Sequence, residues 1–152
     1  MNASTDYRDS WISPRIKIAA LWASMLFIFA YVDLFTLLRP DVRADIEAGK
    51  MSVFSIGQGY LLGVMVYVAL PSLMLFLSLV LPVQATRMAS VVLAVVYALS
   101  IAGSAVGEWN YFIIGSAIEV ALLAAIGYYA WTWPKATEAL AATPRAQTLP
   151  AK

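Results

Sequence analysis

The chain has 152 residues, 62% of them hydrophobic and only 12% charged, where a soluble domain carries roughly a quarter charged residues. Ten Lys and Arg against nine Asp and Glu leave a net charge of +1, and no basic patch with interleaved aromatics points to nucleic acid. Cysteine and histidine are both absent, which excludes disulfides, thiol redox chemistry, His-ligated haem and His/Cys zinc sites. No cofactor is expected.

Residues 1–17 form a polar lead with two Asp, two Arg and a Lys. The apolar run behind it, Ile18–Leu38, exceeds the roughly 7–15 residues of a signal-peptide core, and no small-residue cleavage site follows it. It reads as a retained first span. A hydrocarbon core of ~30 Å needs about 20 apolar residues in helical form, and three further stretches supply them: 59–81, 88–106 and 111–133. Backbone groups in lipid must be satisfied within their own segment, so these runs are helices. The ~10-residue alternating segments of a β-barrel do not occur. Breakers separate the spans: Arg39-Pro40, Pro82, residues 107–110, and Trp133-Pro134.

Between the first two spans, Pro40 near its start and Gly49 at its end mark a short helix. Val42, Ile46 and Met51 would lie on the bilayer surface while Arg43, Asp45 and Glu47 face water. Pro71 sits inside the second span, where it deletes one backbone bond and displaces the carbonyl of Tyr67. A kink follows, either a hinge with a free carbonyl or a static bend. Small residues suited to close helix contact recur as Gly59-xxx-Gly63, as Gly103-xxx-Gly107 beside Ser100 and Ser104, and as Gly115, Ser116 and Gly127.

The fold class expected is all-α, an up-down transmembrane four-helix bundle with a short amphipathic helix in its first loop. A polar N-terminus (1–17) and a disordered tail (134–152) flank the bundle (18–133). With both termini cytoplasmic, that side holds Arg8, Arg15, Lys17, Arg87, Lys135, Arg145 and Lys152, against Arg39, Arg43 and Lys50 outside. The positive-inside rule therefore places both ends in the cytoplasm. Trp11, Trp131 and Trp133 then form an inner aromatic belt, with Trp109 and Tyr111 on the outer side, and the inner half of the bundle is otherwise nearly featureless.

Asp33 and Glu119 are the only charged residues inside the spans. An acid at mid-bilayer costs at least ~2.5–3.5 kcal/mol, so it faces the bundle interior, a water-filled cavity or a partner. At ~1.5 Å per residue, Asp33 lies roughly 9 Å and Glu119 roughly 12 Å below the outer boundary, on helices that neighbour each other. Gln58, Tyr31, Ser116 and Glu108 gather toward the same end. One reading is an outward-facing polar pocket for a proton, a cation or an amine-bearing molecule, since two close carboxylates cannot both ionise cheaply. The other is structural: each acid is protonated or hydrogen-bonded in place, or Asp33 simply reaches the interface. No catalytic set and no metal-ligand set accompanies them.

The segments AALWASMLFIFAYVDLF, PSLMLFLSLVLP and IEVALLAAIGYYAWTWP resemble a family of small, uncharacterised bacterial four-helix membrane proteins. The resemblance covers most of the chain apart from its two ends. It implies a fold, a size and a bacterial inner membrane, not an activity, and Asp33 and Glu119 match the family pattern. A looser likeness is to membrane proteins of the DoxX kind. The topology is also similar to that of quinone-linked thiol oxidoreductases, but those need a Cys-x-x-Cys that is missing here. Three functions follow: binding or transport by an oligomer, an accessory subunit of a larger membrane complex, and, least supported, an enzyme. The partners expected are the bilayer and a further membrane chain, with no nucleic acid.

Overall fold

The computed structural model describes residues 12–134. The polar lead up to Trp11 and the tail from Lys135 onward, with Arg8, Arg145 and Lys152, lie outside the described residues. The elements in chain order are α1 (Pro14–Thr36), α2 (Pro40–Glu47), β1 (Lys50–Met51), β2 (Phe54–Ser55), α3 (Gln58–Val80), α4 (Val83–Ser104) and α5 (Asn110–Trp131). Helices α1, α3, α4 and α5 are long and apolar enough to cross a membrane. They form an all-α four-helix bundle.

Two helices start earlier than hydropathy indicates. α1 begins at Pro14 rather than Ile18, and α4 at Val83 rather than Met88. Hydropathy marks only the lipid-immersed stretch, whereas the helix runs on into the interface. Pro14, in the first turn, loses nothing there by lacking an N–H.

The first loop carries the expected short helix. Val42 and Ile46, one turn apart, are half-buried, while Arg43, Asp45 and Glu47 are exposed. Gly49 ends α2 at φ +73°, a left-handed conformation that glycine adopts without strain. Beyond it, β1 and β2 form a small antiparallel hairpin that pairs Lys50 with Ser55 and Met51 with Phe54. No Asn-Gly or Asp-Gly announces its turn, which instead places Ser52 at φ 53°.

The bundle is unevenly closed. α5 packs extensively on both α1 and α4, and α1 also packs on α3, whereas the α3–α4 seam is sparse. Gly115 explains the tightest contact. Val32 of α1 packs straight onto it, and a Cβ there would collide with the Val32 side chain. The other glycines expected at helix contacts behave differently: a Cβ at Gly59, Gly63, Gly103, Gly107 or Gly127 would meet nothing within 4 Å. Gly107 serves the turn after α4, at φ +82°. The core centres on Ile18, Trp22 and Met25 of α1, with Leu123 and Ile126 of α5, Tyr97 of α4 and Met74 of α3. Phe27, Leu62, Met65, Leu99 and many other large apolar side chains point outward, as lipid contact requires and water would not tolerate.

At the end where α1 and α4 begin, two arginines cap helices that finish there. The Arg15 guanidinium donates to the carbonyls of Ser78, Leu79 and Leu81 at 3.2, 3.2 and 2.7 Å. Arg87 donates to the carbonyls of Ala130 and Trp131 at 2.9 and 3.2 Å. The last turn of a helix leaves carbonyls without donors and carries partial negative charge, so both contacts are favourable. Arg15 also lies over Trp133, and Lys17 over Tyr129.

This half of the bundle is not featureless. Ser78, Thr86 and Ser90 are fully buried in it. Ser78 Oγ donates to the Leu75 carbonyl of its own helix, and Thr86 Oγ1 to those of Leu81 and Pro82. Such back-bonding hides a hydroxyl inside an apolar run, so hydropathy alone passes over it. The α1–α5 contact gives a stability test. Gly115→Ala is expected to destabilise the fold by about 1–3 kcal/mol through overpacking. Adding Val32→Ala should recover at least half of the loss in a double-mutant unfolding cycle.

Candidate functional site

The middle of α3 sets the geometry. Pro71 has no N–H, so the carbonyl of Tyr67 four residues earlier lacks its helical donor. The Tyr97 hydroxyl of α4 donates to that carbonyl. The Tyr67 hydroxyl in turn is hydrogen-bonded to Ser100 Oγ of α4 at 3.0 Å. The two tyrosine rings lie 4.6 Å apart, and Phe29 of α1 lies 6.0 Å from Tyr67. Trp22 meets Tyr97 edge-on at 6.4 Å. A narrow crevice, too tight to admit a water molecule, runs between Met25, Leu26 and Phe29 of α1, Tyr67, Val68 and Pro71 of α3, and Tyr97.

Glu119 is on α5 and does not line this crevice. It is the tenth of that helix's 22 residues, and so sits near mid-span rather than toward one end. Its side chain is only 2% exposed, and Oε1 has no hydrogen-bond partner among the described residues. Ser116, three residues earlier on the same face, is buried too. Because Val32 packs on Gly115 and Thr36 bonds Tyr111, Glu119 is level with the Ile28–Phe29 turn of α1.

Asp33 is placed differently. It lies three residues from the end of α1 and is exposed on the flank of the bundle. The same register puts it about 7 Å nearer the α1–α2 end of the bundle than Glu119, so the two acids are not at one depth. No hydrogen bond joins them among the described residues, although each lies within electrostatic reach of the other.

The remaining candidates disperse. Tyr31 is 56% exposed and packs beside Phe35 of its own helix. Gln58 is the exposed first residue of α3. Glu108 turns away from the acids and pairs with Arg39. Arg39 also binds both Asp41 oxygens, at 3.2 and 2.6 Å, and stacks over Trp109. This clasp ties the α1–α2 corner to the α4–α5 turn beside a depression of about 270 Å³ lined by Phe35, Leu38, Pro40 and Tyr111. Pro71 is at the heart of the site, as the wall of the crevice and the cause of the Tyr97 contact. Tyr97 and Phe29 carried no signal in the sequence, and Ser100 stood out only as a small residue beside Gly103. Only the displaced Tyr67 carbonyl hinted that a donor had to stand opposite.

Helices long enough to span, apolar on their outer faces and enclosing one mid-span acid, define a multi-pass membrane protein built as a four-helix bundle. The chain belongs to a family of unknown function, DUF6326, which it matches over residues 10–140. No curated protein and no solved structure matches it. The family match fits the uncharacterised membrane family and gives no support to a DoxX relationship.

Two outcomes are expected here. Tyr97→Phe leaves the Tyr67 carbonyl without a donor and should cost about 1–3 kcal/mol. Pro71→Ala supplies an N–H four residues on, so it should shrink that cost in the double variant, as read by unfolding. The second concerns the clasp at the α1–α2 corner, where Arg39 holds the Asp41 carboxyl below its ordinary value of 3.8. A depressed carboxyl stabilises the folded state above that value, and the contribution is lost as pH falls through the lower one. The difference in melting temperature between the native chain and Arg39→Gln should therefore hold from neutral pH to about 4 and shrink only below. Loss of the difference between pH 8 and 6 would contradict the assignment.

Proposed function

We propose that this protein binds, and in an oligomer transports, a proton, a cation or a small cationic molecule at Glu119, approached from the outer side. The observation that carries the reading is the Glu119 carboxyl itself, near mid-span, 2% exposed, with Oε1 unpartnered among the described residues. A carboxylate there is costly unless something compensates it, and no Lys or Arg lies inside any span to do so. A reversible occupant, even a proton, removes the cost. Asp33, exposed on the outer flank, is the group such an occupant meets first. The membrane is a bacterial inner membrane, with Arg15, Lys17 and Arg87 on the cytoplasmic side and Arg39, Arg43 and Lys50 outside.

The alternative is an accessory subunit of a larger membrane complex. It draws on the outer half of α3, where residues 58–66 are exposed apart from Tyr60 and a Cβ at Gly59 or Gly63 would meet open space. A discrete oligomer of this chain alone after gentle purification would count against it.

The test of the Glu119 reading is thermal unfolding across pH and cation concentration. The native chain should show a dependence that Glu119→Gln removes and Asp33→Asn only weakens. Three superimposable profiles would sink the reading.

A further inference from the structure

Open space lies away from Glu119, at the end of the bundle where α1 gives way to α2. The depression there holds about 270 Å³ between Phe35, Leu38, Arg39, Pro40, Trp109 and Tyr111, close to the ~300 Å³ at which ligand pockets begin. The surrounding helices fix its height in the bilayer. α1 finishes at Thr36, α4 finishes at Ser104 and α5 begins at Asn110. The depression therefore sits at the border between hydrocarbon and headgroups, the level at which Trp and Tyr are enriched.

Its two sides differ in chemistry. Phe35 and Leu38, both exposed, supply an apolar wall. The other side is the clasp, in which Arg39 is held by both Asp41 oxygens and by Glu108 and lies over Trp109. One cation against two carboxylates leaves an excess of one negative charge. Exposure sharpens the asymmetry: the Arg39 side chain is 10% exposed, against 55% for Asp41 and 33% for Glu108. An arriving headgroup meets carboxylates before it meets the guanidinium. Glu108 gives one oxygen to Arg39, and the other is left to accept. Arg39 covers one face of Trp109, yet the indole remains exposed, so ring surface is left for a second cation.

We infer that this depression binds one phospholipid with a primary-ammonium headgroup, its ammonium on Asp41 and Glu108 beside Trp109 and an acyl chain against Phe35 and Leu38. An anionic headgroup is disfavoured by the excess negative charge. A quaternary ammonium has no N–H to give a carboxylate, whereas a primary ammonium has three. A lipid held here would bridge the two segments that the clasp joins, the α1–α2 corner and the α4–α5 turn. Glu119 takes no part, since it follows Tyr111 by about two turns of α5.

The experiment is native mass spectrometry of the delipidated full chain, released from detergent after titration with phosphatidylethanolamine, phosphatidylcholine or phosphatidylglycerol of identical acyl chains. One phosphatidylethanolamine should bind at least about tenfold more tightly than either other lipid, the margin of one charge-assisted hydrogen bond. Glu108→Gln keeps an oxygen on Arg39 but removes the excess charge, and should abolish most of that preference. Trp109→Leu should weaken phosphatidylethanolamine binding severalfold. Glu47→Gln removes a charge from the exposed end of α2 and should change nothing. If Glu108→Gln does not fold, the ranking of the three lipids on the native chain and the Trp109→Leu result decide. Equal binding of the three lipids marks only the lipid that surrounds any membrane protein and overturns the site. Tighter phosphatidylglycerol, or phosphatidylcholine equal to phosphatidylethanolamine, overturns the ammonium assignment. Unchanged preference in both clasp variants, or a lipid-free dimer in place of the adduct, overturns the location.

Discussion

A carbonyl in the middle of a bilayer has no water to turn to, and Pro71 strands one at Tyr67. The Tyr97 hydroxyl takes it, and the contact between α3 and α4 is built around that bond. It draws α3 to α4 at one level, in a seam that is otherwise sparse. It brings the two tyrosine rings to 4.6 Å. A proline that would merely bend a water-soluble helix here dictates a cross-helix partner, because in lipid every polar backbone group must find one within the protein.

Charge does the corresponding work at the two ends. Arg15 and Arg87 terminate α3 and α5 by donating to their last carbonyls. At the other end Arg39 serves side chains rather than backbone, drawing Asp41 and Glu108 together and lying over Trp109. Cations that read in a sequence as signals of topology are therefore also structural parts. Between the two ends only acids carry charge, one exposed on the flank and one buried at mid-span. That asymmetry separates Glu119 from Asp33 more sharply than their shared residue class implies.

Some of this was legible in the residues and some was not. Four spans, the surface helix after Pro40, its end at Gly49 and the stranded Tyr67 carbonyl all follow from local rules about length, proline and glycine. The hairpin after Gly49 was not legible, because its turn lacks the residues that usually mark one. Nor were the buried hydroxyls of Ser78, Thr86 and Ser90, single polar atoms in apolar runs. The glycine pairs of α3 and α4 misled: their spacing suits helix contact, yet the close approach falls at Gly115 instead.

Local chemistry by itself determined that this chain crosses a membrane four times, that α3 carries a defect at Pro71, and that two acids lie within the spans. Which faces of the helices meet was decided only by the tertiary structure. The physical reason is that a membrane helix is apolar on its lipid side and its core side alike, so periodicity does not distinguish the two. Packing against Gly115 and the Tyr97 bond break that degeneracy. They turn Glu119 inward and leave Asp33 at the flank, which is why the candidate site centres on one acid rather than a pair.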